Sequence, residues 1–166
     1  MEMGLEHKRV LVTGSTKGIG RAIAEAFAKE GADVVINGRR ADTVQAVVDE
    51  LTATYPETQP IAAPFDISDP AEAEQLFALV PTVDVLVNNM GIFGPMAYAD
   101  IDDATWERFF KVNVLSGNRL AKHYLPTMLA NDFGRIIFIA SEEAVMPSGE
   151  MPQYSMTKSM NLSLAK

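Results

Sequence analysis

Val10-Leu11-Val12-Thr13 runs without a linker into Gly14-Ser15-Thr16-Lys17-Gly18-Ile19-Gly20 and then into Arg21-Ala22-Ile23-Ala24. So short an apolar run, with no polar alternation, reads as a strand buried on both faces. The glycines then fall where the carboxyl end of a strand meets the amino end of a helix. The same beat continues. Asp33 to Asn37 reads as a strand, Asp42 to Thr52 as a helix, and Pro60 to Pro64 as a strand. Next comes a helix with Asp69 as N-cap and Pro70 at its first position, followed by the strand Val83 to Asn88. A helical stretch from near Asp103, a long helix to about Ala130, the strand Arg135 to Ala140 and a last helix carrying Tyr154 complete the chain. This alternation predicts an α/β fold: a doubly wound parallel sheet of Rossmann type in three layers, α/β/α.

The 166 residues, 48% of them hydrophobic, suffice for one domain spanning 1–166 with a real core. No internal repeat or linker divides it. A net charge of -8 argues against nucleic acid and anionic membrane surfaces as partners, because both select a basic face. With no cysteine, disulfides, thiolate metal sites and a Cys nucleophile are excluded, so redox chemistry would belong to a bound cofactor. His7 and His123 stand in no metal-ligand spacing. No apolar run has membrane-spanning length and the first eight residues are too polar for a secretory signal, which makes the cytoplasm the expected compartment.

A glycine turn at a strand's carboxyl end is where doubly wound folds hold a dinucleotide. Gly14 permits the tight turn, Gly18 lets the chain approach the pyrophosphate, and Gly20 lets the helix pack closely on the sheet. The second strand ends in Ile36-Asn37-Gly38-Arg39-Arg40, where an NAD site usually has an acidic residue. Arg39 with Lys17 can instead form a cationic pocket for the 2'-phosphate of NADP, which favours NADP(H), with NAD(H) possible and solvated loop charges as the alternative. Asp66 in Phe65-Asp66-Ile67-Ser68 suits either the adenine amino group or a turn. Asn88-Asn89-Met90-Gly91 ends the fourth strand, where side-chain amides can tie neighbouring strand ends together and the backbone can approach a cofactor.

Tyr154 and Lys158 stand four apart in Gln153-Tyr154-Ser155-Met156-Thr157-Lys158 and so share a helix face. An ammonium beside a phenol stabilises the phenolate and makes the pair a usable proton donor and acceptor. With the glycine turn, the Asn-Asn-x-Gly turn, Asn113 and Ser141 in this order, the chain from Arg9 to Lys166 resembles the short-chain dehydrogenase/reductase family. Its glycine spacing is similar to that of the simple dehydrogenases rather than the sugar-nucleotide epimerases.

The resemblance implies that Tyr154 exchanges a proton with a substrate oxygen while nicotinamide exchanges hydride with the carbon. It implies further that Lys158 holds the nicotinamide ribose, that Ser141 binds the substrate oxygen, and that Asn113 breaks its helix to hold a relay water. The cofactor-binding set it implies is Gly14, Ser15, Thr16, Lys17, Gly18, Ile19, Gly20, Arg39, Asp66, Ile67, Asn89, Gly91, Tyr154 and Lys158. The substrate would be a small carbonyl compound or alcohol, and the Thr105 to Ala130 and Tyr154 helices would make a homodimer or homotetramer. A dinucleotide-binding scaffold without turnover is the competing reading. Met90 replaces the family's usual alanine, in a place where its bulk would lie close to the cofactor. Glu142 and Glu143 follow Ser141, either flanking a substrate pocket or as solvated loop carboxylates. Met146, Met151 and Met156 suit an apolar pocket or gap filling. The sequence stops within the Tyr154 helix with Leu162 and Leu164 still to be packed. The family's later strands and mobile segment are therefore expected to be missing, and turnover by this stretch alone to be weak.

Overall fold

The structure, a computed structural model, describes residues 3–166. Five strands, β1 (Arg9–Val12), β2 (Asp33–Asn37), β3 (Ile61–Ala63), β4 (Val85–Asn88) and β5 (Arg135–Phe138), form one sheet in the order β3-β2-β1-β4-β5. All neighbouring pairs are parallel. The helices are α1 (Gly18–Lys29), α2 (Ala41–Thr54), α3 (Pro70–Leu79), α4 (Asp103–Phe110), α5 (Ser116–Ala130) and α6 (Pro152–Leu164). The chain starts in the middle of the sheet, winds out to β3 and returns to β4. Strand order therefore reverses between β1 and β4, and a crevice opens at their carboxyl ends.

Strand parity builds the two cores. Val10 and Val12, Val34 and Ile36, and Val85 and Val87 pack with Ala24, Ala28, Val44, Val48 and Leu51 of α1 and α2. Leu11, Val35, Ala63 and Leu86 point the other way, against Ala73, Leu76 and Phe77 of α3 and Leu120, Tyr124 and Met128 of α5. Continuous apolar runs are thus needed because successive side chains enter different cores, and neither meets water.

Boundaries follow local chemistry. Asp69 accepts hydrogen bonds from Ala71 N (2.7 Å) and Glu72 N (3.2 Å), capping α3 as its sequence predicts. Asp102 does the same for α4 through Thr105 N at 2.8 Å. β3 is shorter than the Pro60 to Pro64 span suggested by the sequence, since proline has no N–H to give the ladder. β5 departs from two-sided burial. Ile137 pairs in register with Val87, on the α1 side of the sheet, yet is 41% exposed. Leu162 and Leu164 are likewise exposed, at 39% and 38%.

At the end of β2, Asn37 joins three segments. Its Nδ2 donates to Ala63 O and Phe65 O, both at 3.0 Å, and its Oδ1 accepts from Gly14 N at 3.3 Å. The residue is 1% exposed. Asn37→Ala would strand the Gly14 N–H and the Phe65 carbonyl away from water, at about 1–3 kcal/mol for each unsatisfied group. The expected outcome is a loss of about 2–4 kcal/mol in urea denaturation, with an unchanged denaturant slope.

Candidate active site

The glycine turn owes its shape to missing side chains. Gly14 and Gly18 have φ of 62° and 56°, which side chains with a Cβ resist. A Cβ on Gly20 would meet both Gly14 O and Asn89 Nδ2 at 2.4 Å, so α1 can sit this close to the sheet only with glycine there. Asn89 fastens the turn from β4, its Nδ2 donating to Thr13 O at 2.9 Å and to Gly14 O at 3.2 Å. Thr13 answers in reverse, its hydroxyl accepting from the N–H groups of Asn89 and Met90, both at 2.9 Å.

α1 begins with no side-chain cap and no acidic residue in its first turn, leaving its N–H groups and positive dipole end open to an anion. Nothing lies within 4 Å of the place where a Gly18 Cβ would sit, and Ile19 is 66% exposed beside it. These features fit a dinucleotide pyrophosphate. Ser15 faces inward instead, its Oγ accepting from Asn37 N at 2.9 Å, and Thr16 lies over Gly38.

Arg39 and Lys17 are exposed at this edge. Arg40 is committed to Asp42, with Nη2 to Oδ2 at 2.6 Å, whereas Arg39 forms no ion pair among the described residues. Beyond β3, Asp66 Oδ1 accepts from Ser68 N (3.0 Å) and Ser68 Oγ (2.7 Å) in a local turn. Ile67 is in the core, 1% exposed, so its side chain is not displayed at this edge.

Opposite the turn, α6 brings Lys158 Nζ to 5.6 Å from the centroid of the Tyr154 ring. Lys158 is 5% exposed and donates to Ile139 O at 2.7 Å. Burial pushes its pKa down from the usual lysine value. Between α4 and α5 the chain widens into a π-helical turn, Lys111–Leu115, which presents Asn113 inward. Asn113 Oδ1 accepts from Ile92 N at 2.8 Å, and its Nδ2 donates to Ile92 O at 2.9 Å and to Thr157 Oγ1 at 3.0 Å. A Cβ on Gly91 would lie 3.4 Å from Asn113 Oδ1 and 3.8 Å from Lys158 Nζ, so Gly91, Asn113, Lys158 and Tyr154 converge. Ser141 caps the short turn Glu142–Ala144, its Oγ accepting from Glu143 N at 3.3 Å.

The family model for short chain dehydrogenases matches residues 8–166. The chain belongs to the short-chain dehydrogenase/reductase family. It is 51% identical over its whole length to the uncharacterized oxidoreductase YvaG of Bacillus subtilis, covering 63% of that protein. It is 34% identical over 95% of its length to the 3-oxoacyl-[acyl-carrier-protein] reductase FabG of Aquifex aeolicus, covering 65% of it. Among solved structures it is similar to L-sorbose reductase from Gluconobacter frateurii, complexed with NADPH and L-sorbose. That match has a TM-score of 0.91 at 33% identity and covers 99% of this chain and 64% of the other. The chain therefore spans just under two thirds of the length of these relatives.

Against the short-chain dehydrogenase/reductase pattern, three expectations need correction. Met90 is partly buried and packs against the second core, so its bulk is taken up on the α3 and α5 side of the sheet. Asn88 does not tie strand ends. Its amide is buried with no partner among the described residues, and Asn89 does the tying. Glu143 is neither solvated nor a free charge at the pocket. It is 7% exposed and bound by Ser155 Oγ and by Ser148 N, the latter at 3.1 Å. Thr13, Asn37 and Thr157 were not singled out from sequence, since their value lies in partners distant along the chain.

The lowered Lys158 pKa has a pH signature. The folded state releases this proton more readily than the unfolded chain, so the penalty for a buried charge is fully present below the folded pKa. It fades as pH rises from there to the unfolded lysine value of ~10.4. Denaturation at a series of pH values should therefore show the parent gaining stability relative to Lys158→Met through that window, and no relative change below it.

Proposed function

We propose that this chain carries the chemistry of an NADP(H)-dependent oxidoreductase that interconverts a small-molecule ketone or aldehyde with an alcohol, using Tyr154 as proton donor and acceptor. The observation that carries it is the convergence of Tyr154, Lys158 and Asn113 at the same sheet edge as the glycine turn. The cofactor supplies a hydride when bound there.

Every other part falls to residues of the chain. Lys158 spends one of its three N–H groups on Ile139 O, leaving two for the ribose hydroxyls and for steadying charge on Tyr154. The Ser141 hydroxyl accepts from Glu143 N, so its own proton remains free to be donated to the substrate oxygen as charge develops. Asn113 keeps one lone pair on Oδ1 after binding Ile92, enough to hold a water that passes protons between Lys158 and solvent. Gly14 to Gly20, Asn89 and Gly91 cradle the phosphates and ribose through backbone, while Asp66 and the Ile67 backbone border the adenine.

Arg39 and Lys17 support NADP(H) over NAD(H), because both are exposed and Arg39 forms no ion pair among the described residues. The NADPH complex of the sorbose reductase supports the same choice. Leu115, Met156 and Met160, 37–40% exposed beside Phe110 and Val114, give the π-helical turn and α6 a shared apolar face suited to a second copy, hence a homodimer or homotetramer. Among the described residues no helix is long and apolar enough to cross a membrane. The acidic net charge of -8 supports small molecules rather than nucleic acid or an anionic membrane surface as partners, and a cytoplasmic protein is the reading that goes with them.

Two variants test the reading. Arg39→Ala should weaken NADPH binding about tenfold or more in a fluorescence titration, the loss of one charge-assisted contact, and leave NADH nearly unchanged. Equal weakening of both would remove the phosphate pocket. Tyr154→Phe should retain NADPH binding and lower kcat by at least about 100-fold. Turnover close to that of the parent would sink the proton-transfer role.

A further inference from the structure

Glu143 is a buried carboxylate in no ion pair among the described residues, and its place between two elements of the site shows what it does. It sits in the Glu142–Ala144 turn that follows Ser141, and its backbone N–H donates to the Ser141 hydroxyl at 3.3 Å. Its carboxylate reaches across to α6, where Ser155 Oγ donates to it, and back along the chain to Ser148 N at 3.1 Å. Ser155 is itself 3% exposed and is the residue next to Tyr154. Hydrogen bonding from Ser155, then from Ser148, holds the carboxyl below its usual pKa, so it accepts as an anion.

Another bond runs between these elements, Ser159 Oγ to Ala144 O at 2.8 Å, and Lys158 Nζ donates to Ile139 O, just ahead of Ser141, at 2.7 Å. Glu143 supplies the one link in which a side chain of the turn grips a side chain of α6. By closing the segment from 143 to 148 it also fixes the tip at which Val145 and Met146 stand 75% and 77% exposed.

We propose that Glu143 is a positioning residue. It locks the turn bearing Ser141 to the helix bearing Tyr154 through Ser155, so that hydroxyl and phenol address one substrate oxygen in a fixed relation. The inference rests on the proposed carbonyl chemistry. In reactions limited by such alignment, a displacement of about 1 Å can cost ~100-fold.

The test compares Glu143→Ala, Glu143→Gln and Ser155→Ala with the parent, each below its own melting temperature. Glu143→Ala should lower kcat at least tenfold while NADPH affinity stays within about threefold, since the glycine turn is untouched. Glu143→Gln, whose carboxamide oxygen accepts from the same two donors, should recover to within about fivefold of the parent. Ser155→Ala should fall with Glu143→Ala, and it carries the same expectation if the latter does not fold. A Glu143→Ala chain, or a Ser155→Ala chain in its place, with a lowered melting temperature but kcat within twofold of the parent overturns the proposal.

Amide hydrogen exchange separates this failure from failure of the carbonyl reading, because it needs no turnover. Loss of the carboxylate should speed exchange at Ser148 and from Ser155 to Lys158 while β1 and β2 stay protected. If the parent reduces no carbonyl compound, the proposed function fails and exchange alone decides the positioning role. Unchanged exchange in α6 rejects it.

Discussion

Strand ends buried beneath crossing loops must find hydrogen-bond partners that the ladder no longer supplies, and at the carboxyl edge of this sheet short polar side chains provide them. Thr13, 1% exposed, accepts two backbone N–H groups from the turn after β4. Asn37 and Asn89 each bridge from their own strand end into the glycine turn. Remove that polar stitching and neither the turn nor the segment after β4 has a reason to hold its course. The absence of a Cβ on Gly20 is the steric counterpart, since the same Asn89 amide lies where that carbon would stand.

The second half of the site is fixed from several sides. Lys158 reaches Ile139 beyond β5, Thr157 meets Asn113 in the π-helical turn, and Gln153, 0% exposed, donates to Gly94 O at 2.9 Å. The last contact sets the loop that carries Phe93, whose ring centroid is 6.1 Å from that of Tyr154. A helix held by three partners on separate segments is poorly able to rotate, and rotation is what would part Tyr154 and Lys158 from Gly91 and Asn113.

Much of this was legible in the chain because it depends on local rules. Asp69 followed by Pro70 announces α3, positive-φ positions select Gly14 and Gly18, and the four-residue spacing of Tyr154 and Lys158 survives in any helix. What could not be read depends on partners far apart. Glu143 reads as a loop charge until Ser155 is brought opposite it, and Asn88 and Asn89 are indistinguishable until one is seen to face the core and the other the turn. The direction of the Met90 side chain, toward the second core, likewise depends on partners distant along the chain. Ile137 escaped the strand rule because burial on both faces needs a packed layer over each, and among the described residues β5 packs chiefly against β4 and α5, which lies on the other face.

Asn37 and Arg39 stand two residues apart and live under different regimes. The first is locked to β3 and to the glycine turn, whereas the second projects into solvent beyond Gly38. A lineage carrying this scaffold can exchange the residue at 39 freely and keep its architecture, so the charge displayed at this edge becomes an independently evolvable trait. Position 37 is closed to such drift.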